Sequence, residues 1–303
     1  MKASPRLVPL VCSLLGLVAC ASSVAQEMDT LKKIKATNTI VIGHRDASVP
    51  FSYLNENGQP IGYSIDLCLK IVDAIKAAQK LPKLEVKFAL VSTATRISKT
   101  ANGTVDIECG SSTNDVERHQ QVSFLVTTFV TTSRVAWKKS SNFKSVIDLK
   151  GKTIAAAAGT NNLKEITSAN IQRQLGMTVM PTKNHFEAFA ALEKGAAVAF
   201  ATDDILMYST IAESATPANY VVSSEALSTK PKAIMVRKDD SAFKKIADDA
   251  IRALFKSGEI QKIYAKWFLS PIPPKMINLN VAMSDALKKA IAKPTDSGIA
   301  SDY

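Results

Sequence analysis

A chain of 303 residues with 46% hydrophobic and 21% charged residues has ordinary globular composition and room for one large or two medium domains, which excludes a disordered or fibrous chain. The formal net charge of +11 points to anionic partners, but the lysines are dispersed, with no polybasic block and no basic stripe interleaved with aromatics, so nucleic acid is not indicated. His44, His119 and His185 have no ligand spacing and no Cys-x-x-Cys occurs, so no metal or cofactor is expected.

Lys2 and Arg6 precede an apolar run from Leu7 to Ala19 that Pro9 interrupts and that is too short to span a bilayer. This is an export signal, and cleavage after Ser23-Val24-Ala25 would make residues 1–25 a leader, with a periplasmic product. Leu17-Val18-Ala19-Cys20 also resembles a bacterial lipobox, which would instead leave a lipid-tethered protein at Cys20. Cys68 and Cys109 remain in the body, and one disulfide or two buried thiols are both compatible with the sequence.

After a polar lead-in, Thr39 to Ile42 is a β-branched run ending at Gly43-His44-Arg45, so Arg45 lies in the loop at a strand's C-terminal end. Such loops hold ligands in parallel sheets, although a surface arginine before a Ser-Val-Pro turn fits the same residues. Phe51-Ser52-Tyr53 and the Asn57-Gly58 turn suggest a hairpin. From Ser64, Ile65, Cys68, Leu69, Val72 and Ile75 form a helical stripe, and Leu84, Val86, Phe88 and Leu90 then alternate as a strand. Ser92-Thr93-Ala94-Thr95-Arg96 places hydroxyls at a helix start followed by an arginine.

Asp106 to His119 repeats that arrangement: a short apolar strand stops at Gly110, passes Ser111, Ser112 and Thr113, and restarts as a helix with Arg118 about one turn in. A strand, tight turn and helix N-terminus aim backbone N–H groups and partial positive charge at one point, which reads as a carboxylate or phosphate cradle. The competing interpretation is a helix cap at Thr113 or Asn114 with Glu117 completing a capping box.

Val122 to Trp137 predicts extended crossing strands, and a second unit then begins. Lys152 to Ala158 is a strand ending in Gly159-Thr160-Asn161-Asn162; Met177 to Met180 is another, and Lys183-Asn184-His185 opens a helix. Ala197 to Ala201 ends at Thr202-Asp203-Asp204, Lys232 to Arg237 returns, and helices follow from Ser241 to Lys256 and Glu259 to Phe268. Strands alternating with helices predict an α/β protein of two lobes, each a mostly parallel sheet flanked by helices. The lobes would comprise residues 26–130 with 230–303, and 131–229, joined by two hinge strands near Thr128–Ser133 and Leu227–Pro231.

These residues resemble the type II extracytoplasmic solute-binding proteins of polar amino-acid ABC transporters. Gly62-Tyr63-Ser64-Ile65-Asp66-Leu67 is similar to that family's signature, with Ser64 where an acidic residue is usual. Ile42-Gly43-His44-Arg45, Glu108-Cys109-Gly110-Ser111, Val116-Glu117-Arg118, Ala197-Val198-Ala199-Phe200 with Asp203-Asp204, and Lys266-Trp267-Phe268 with Pro271-Ile272-Pro273-Pro274-Lys275 resemble its glutamate/aspartate-binding branch. The resemblance implies a monomeric periplasmic receptor that delivers L-glutamate or L-aspartate to a membrane permease. It implies Arg118, Ser111 and Thr113 on the α-carboxylate and Asp203 on the α-ammonium. It also implies Arg45, Thr93, Arg96 and His185 on the side-chain carboxylate, with Asn161 contributing from the second lobe. Thr93 departs from the usual serine, and the Asn161-Asn162 turn replaces a Thr/Ser-rich one. An enzyme on the same scaffold, such as a dehydratase or lyase, is the alternative, since fold does not fix function.

Overall fold

The computed structural model describes residues 29–303, so the leader and Cys20 lie outside the described residues. Asp29 caps the helix Thr30–Thr37 by accepting from Leu31 N and Lys32 N, and the chain then enters the Thr39–His44 strand. That strand is buried along nearly its whole length because helices cover it and neighbours flank it. It runs parallel to Glu85–Leu90 on one side, Thr39 opposite Glu85, and to Ile107–Glu108 on the other. Met235–Arg237 and Val122–Phe124 complete a five-stranded sheet as antiparallel members.

The helix Tyr63–Gln79 buries Ile65, Leu67, Cys68, Ile71, Val72 and Ile75, whereas Leu69, expected on this stripe, is 39% exposed. The helix Ser241–Ser257 adds Phe243, Ala247, Ile251, Leu254 and Phe255 to the same core, so the C-terminal part of the chain rejoins the first lobe. Phe51, Tyr63, Phe129, Tyr264 and Phe268 pack together, with Phe51 and Phe129 ring centroids 5.0 Å apart. Phe129 opens the crossing strand, so this cluster seats the hinge on the first lobe's core.

The second sheet runs Thr178–Thr182, Thr153–Ala157, Ala199–Asp203, Phe129–Lys138 and Tyr220–Val222. The first three strands are parallel. Phe129–Lys138 pairs antiparallel with Ala199–Asp203, with Tyr220–Val222 and with Ser228–Lys232. The lobe is therefore half antiparallel rather than mostly parallel, because the two crossing strands are themselves sheet members and must run in opposite directions. Ser228 faces Ser133 and Lys232 faces Phe129, so the crossings form one two-stranded ribbon. This is the two-lobed type II periplasmic binding architecture.

The expected helix after Gly110 is absent. Ser112 O accepts from Ala233 N at 3.2 Å, Asn114 N donates to Pro231 O at 2.9 Å, and Thr113 bridges Lys232. Pairing with the returning strand holds residues 112–114 extended, and only a 3-10 turn, Arg118–Gln120, follows. Glu117 reaches Lys164 instead of closing a capping box. The helix Asp285–Ala292, capped by Ser284, was not expected; its short apolar face buries only Leu287 and Ala290. Among the described residues no helix is long and apolar enough to cross a membrane.

Cys68 and Cys109 are disulfide-bonded, tying the Tyr63–Gln79 helix to the strand end that precedes the Gly110 turn. The bond closes a chain separation of 41 residues, for which loop-closure entropy gives about 4 kcal/mol of stabilisation. Replacing both cysteines by alanine should lower the unfolding free energy by about 3–4 kcal/mol in a urea titration, and an unchanged midpoint would show that this bond does not constrain the unfolded chain.

Candidate functional site

Four of the predicted residues lie at strand-end loops of the first lobe. Arg45 follows the Thr39–His44 strand, Arg96 begins the short helix Arg96–Ala101, and Ser111 and Thr113 follow Ile107–Glu108. Arg118 comes next, at the 3-10 turn. The second lobe brings Asn161 at the start of the helix Asn161–Gln172, His185 at the start of His185–Glu193, and Asp203 at the end of Ala199–Asp203. The ribbon thus places both sets at facing ends of the two sheets.

The cluster is dominated by buried charge. Arg45, Arg96, Arg118 and Lys232 are each at most 6% exposed, and so are the carboxylates of Glu108 and Asp203. Two positive charges are in excess, and Asp115 at the edge, with a side chain 14% exposed, offsets part of that through a 3.4 Å contact with Arg118 Nε. Arg96 Nη1 donates to Ser112 Oγ at 2.9 Å, and that hydroxyl donates to Glu108 Oε2 at 2.7 Å. Gly110 lets Glu108 fold back against the arginines: a Cβ there would lie 2.1 Å from Glu108 Oε1 and 3.1 Å from Arg45 Cγ. Arg45 Nε and Nη1 and Arg96 Nε are buried without a hydrogen-bond partner in the protein. Donors that leave water unpaired cost several kcal/mol unless an acceptor meets them.

Burial, and then the neighbouring Arg118, lowers the Arg96 guanidinium to about 9, against the opposing pull of Glu108, and it stays charged at neutral pH. Burial likewise lowers Arg45, with Glu108 and Asp46 opposing, and lowers Arg118, with Asp115 foremost in opposition. His185, buried beside Arg45, is pushed down to about 3 and is therefore a neutral imidazole. Its Nδ1 shares a hydrogen bond of 2.8 Å with the Thr202 hydroxyl.

Asp203 occupies the N-cap position of the helix Asp204–Glu213 without capping it. Its Oδ2 lies 2.5 Å from Lys232 Nζ and its Oδ1 accepts from Asn162 Nδ2 at 3.1 Å. Burial alone would raise its pKa, but the Lys232 ammonium and the Asn162 amide prevail and hold it low. Asp204, the rival for an ammonium, instead accepts from the Thr131 hydroxyl at 2.7 Å, and burial raises its pKa.

The lobes touch around this cluster. Thr93 Oγ1 donates to Lys183 O at 3.4 Å, and Arg118 Nη2 to Gly159 O at 3.4 Å. Gly159 has φ +71° and a Cβ would meet Thr93 O at 2.7 Å, so only glycine admits this backbone approach. Lys164 pairs with Glu117 at 2.6 Å, an exposed contact contributing about 0–1 kcal/mol.

Asn161 Nδ2 donates to Asp115 Oδ2 at 2.9 Å, which leaves one N–H of that amide, while Oδ1 is buried without a partner. Three residues of the cluster escaped the sequence: Glu108 and Asn162, which the motifs contain without a role, and Lys232. Lys230 and Lys232 fall on one face of the returning strand, and only the tertiary fold decides that Lys232 is buried. Among the described residues no group of His, Cys, Asp and Glu could hold a metal. His44 bonds the Arg45 carbonyl through Nδ1 at 3.0 Å and His119 bonds Asn114 Oδ1 at 2.6 Å, both structural.

The family model described as bacterial extracellular solute-binding proteins, family 3, matches residues 40–270. The chain is similar to the L-glutamate/L-aspartate-binding protein of Pseudomonas aeruginosa, 49% identical over 298 residues and covering 98% of each chain. It is 38% identical over 284 residues, 94% of each chain, to the glutamate/aspartate import solute-binding protein of Escherichia coli. Among solved structures, a mutant of ArgBP from T. maritima superposes with a TM-score of 0.69 at 26% identity, covering 78% of this chain and 98% of that one. With its two lobes and crossing ribbon, the chain belongs to the bacterial extracellular solute-binding proteins, family 3.

Proposed function

We propose that the chain is a monomeric periplasmic receptor that closes its lobes on glutamate or aspartate and delivers the captured molecule to the membrane permease of an ABC importer. The observation that carries this is the set of buried guanidinium donors of Arg45 and Arg96 that no protein atom satisfies, in a cluster with excess positive charge. A dicarboxylic amino acid supplies two carboxylates to such a site. Arg118, with Ser111 and Thr113, would hold the α-carboxylate, and Arg45, Arg96, Thr93 and neutral His185 the side-chain carboxylate. Asp203 is the carboxylate for the α-ammonium. Charge-assisted hydrogen bonds contribute about 1.5–3 kcal/mol each, so several can outweigh the entropy lost on capture. The names of the relatives support the same ligand class. An enzyme is disfavoured because Asp203 is held ionised by its partners, the opposite of a group poised to exchange a proton.

Arg118→Ala should weaken glutamate binding by at least about thirtyfold in titration calorimetry, since truncating one partner of a desolvated charge pair costs about 2–5 kcal/mol; unchanged affinity would remove Arg118 from the site.

Guanidiniums offer donors only, so a ligand amide would leave its own N–H groups unpaired. Glutamine should bind roughly 10⁴-fold more weakly than glutamate, and Arg96→Met should depress glutamate binding steeply while leaving glutamine nearly unchanged. Glutamine within tenfold of glutamate would show that the arginines do not read the side chain.

Because His185 in the folded protein titrates near 3 and an unfolded histidine near about 6.5, the unfolded state binds the extra proton as pH falls through that window. Its contribution to stability is complete above about 6.5 and is lost toward 3. Binding should not follow this trend: glutamate affinity should change less than about threefold between pH 8 and 5, where His185 stays neutral and the ligand carboxylates stay ionised. A tenfold change in either direction, measured by calorimetry, would mean that His185 takes up a proton in the site.

A further inference from the structure

Lys232 has no part in the scheme above, yet it is the cation that touches Asp203. Its side chain is 4% exposed, with Nζ 2.5 Å from Asp203 Oδ2 and donating to Ser111 O at 3.0 Å. Its backbone is fixed as well, through the bridge to Thr113 and the hydrogen bonds on either side of it. With Asn162 on Oδ1, both oxygens of Asp203 are engaged, and one of the engaging groups is an ammonium. Each oxygen keeps a second lone pair, so a ligand ammonium would share Asp203 with Nζ rather than neutralise it alone. Four buried cations face Glu108 and Asp203, with Asp115 offsetting part of the excess at the edge, so the site favours two ligand carboxylates whether or not the ligand carries an amino group.

We propose that Lys232 is a built-in substitute for the ligand's α-ammonium, a specificity-determining residue that lets the site accept dicarboxylates lacking an amino group, such as 2-oxo and unsubstituted C5 diacids. This rests on the dicarboxylate reading of the same cleft and deepens it. Arg118 and the Arg45–Arg96 pair would still take the two carboxylates, while Asp203 would need nothing from the ligand.

The test is titration calorimetry of the full mature protein with L-glutamate, 2-oxoglutarate and glutarate, for the wild type and for Lys232→Met. In the wild type, 2-oxoglutarate should bind within about a hundredfold of glutamate, since the missing ammonium leaves no carboxylate unpaired; a weaker 2-oxoglutarate would overturn the proposal. Lys232→Met leaves Asp203 in need of a cation, so the glutamate-to-2-oxoglutarate preference should rise at least tenfold; a smaller change would also overturn it. The wild-type comparison stands even if the variant does not fold. Binding of 2-oxoglutarate without glutamate would sink the amino-acid reading and leave this one in place, whereas binding of neither would sink both.

Discussion

Everything about this cleft follows from burying four cations against two carboxylates within a few side chains of one another. Like charges in a dry site repel strongly, and each guanidinium keeps its charge at neutral pH, so the cluster is stable only when anions complete it. Glu108 and Asp203 supply part of that from within, Glu108 through the Ser112 hydroxyl and Asp203 through Lys232. Asp115 offsets a further part at the edge, and in the proposed function a ligand anion supplies the remainder.

The same constraint explains how the lobes communicate. Residues 112–114 and 231–233 are hydrogen-bonded to each other, and residue 232 carries the ammonium that reaches Asp203 in the second lobe. The ribbon that joins the lobes is therefore also a wall of the site. Phe129 anchors the ribbon's other strand in the aromatic cluster of the first lobe, so the ribbon is rooted in one core and can flex toward the other. Gly159 lies against Thr93 and Arg118, contacts that only a glycine backbone permits.

The first strand end was legible because the run Thr39–Ile42 stops at Gly43, and Arg96 was suspected from the hydroxyls at a helix start before it, whereas Arg45 drew its role from the family resemblance. The paired crossings were legible because the C-terminal helices have no second-lobe strand to follow. The helix after Gly110 was misread for a physical reason: hydroxyl residues followed by Glu117 fit a helix start locally, but the returning strand competes for their backbone groups and prevails. Lys232 was hidden because its neighbour Lys230 shares its face and its charge, and burial distinguishes them only after folding. Asn161 and Asn162 show the same limit, since only Asn161 drew a ligand role from the resemblance, whereas the fold sends Asn161 to Asp115 and Asn162 to Asp203.

The central claim is that an anion between the arginines holds the lobes together, and small-angle scattering of the full mature protein with and without saturating glutamate tests it most directly. A smaller radius of gyration with glutamate, and no change with glutamine at the same concentration, is the result predicted. An identical profile with and without glutamate, once calorimetry has shown the site to be filled, would contradict it.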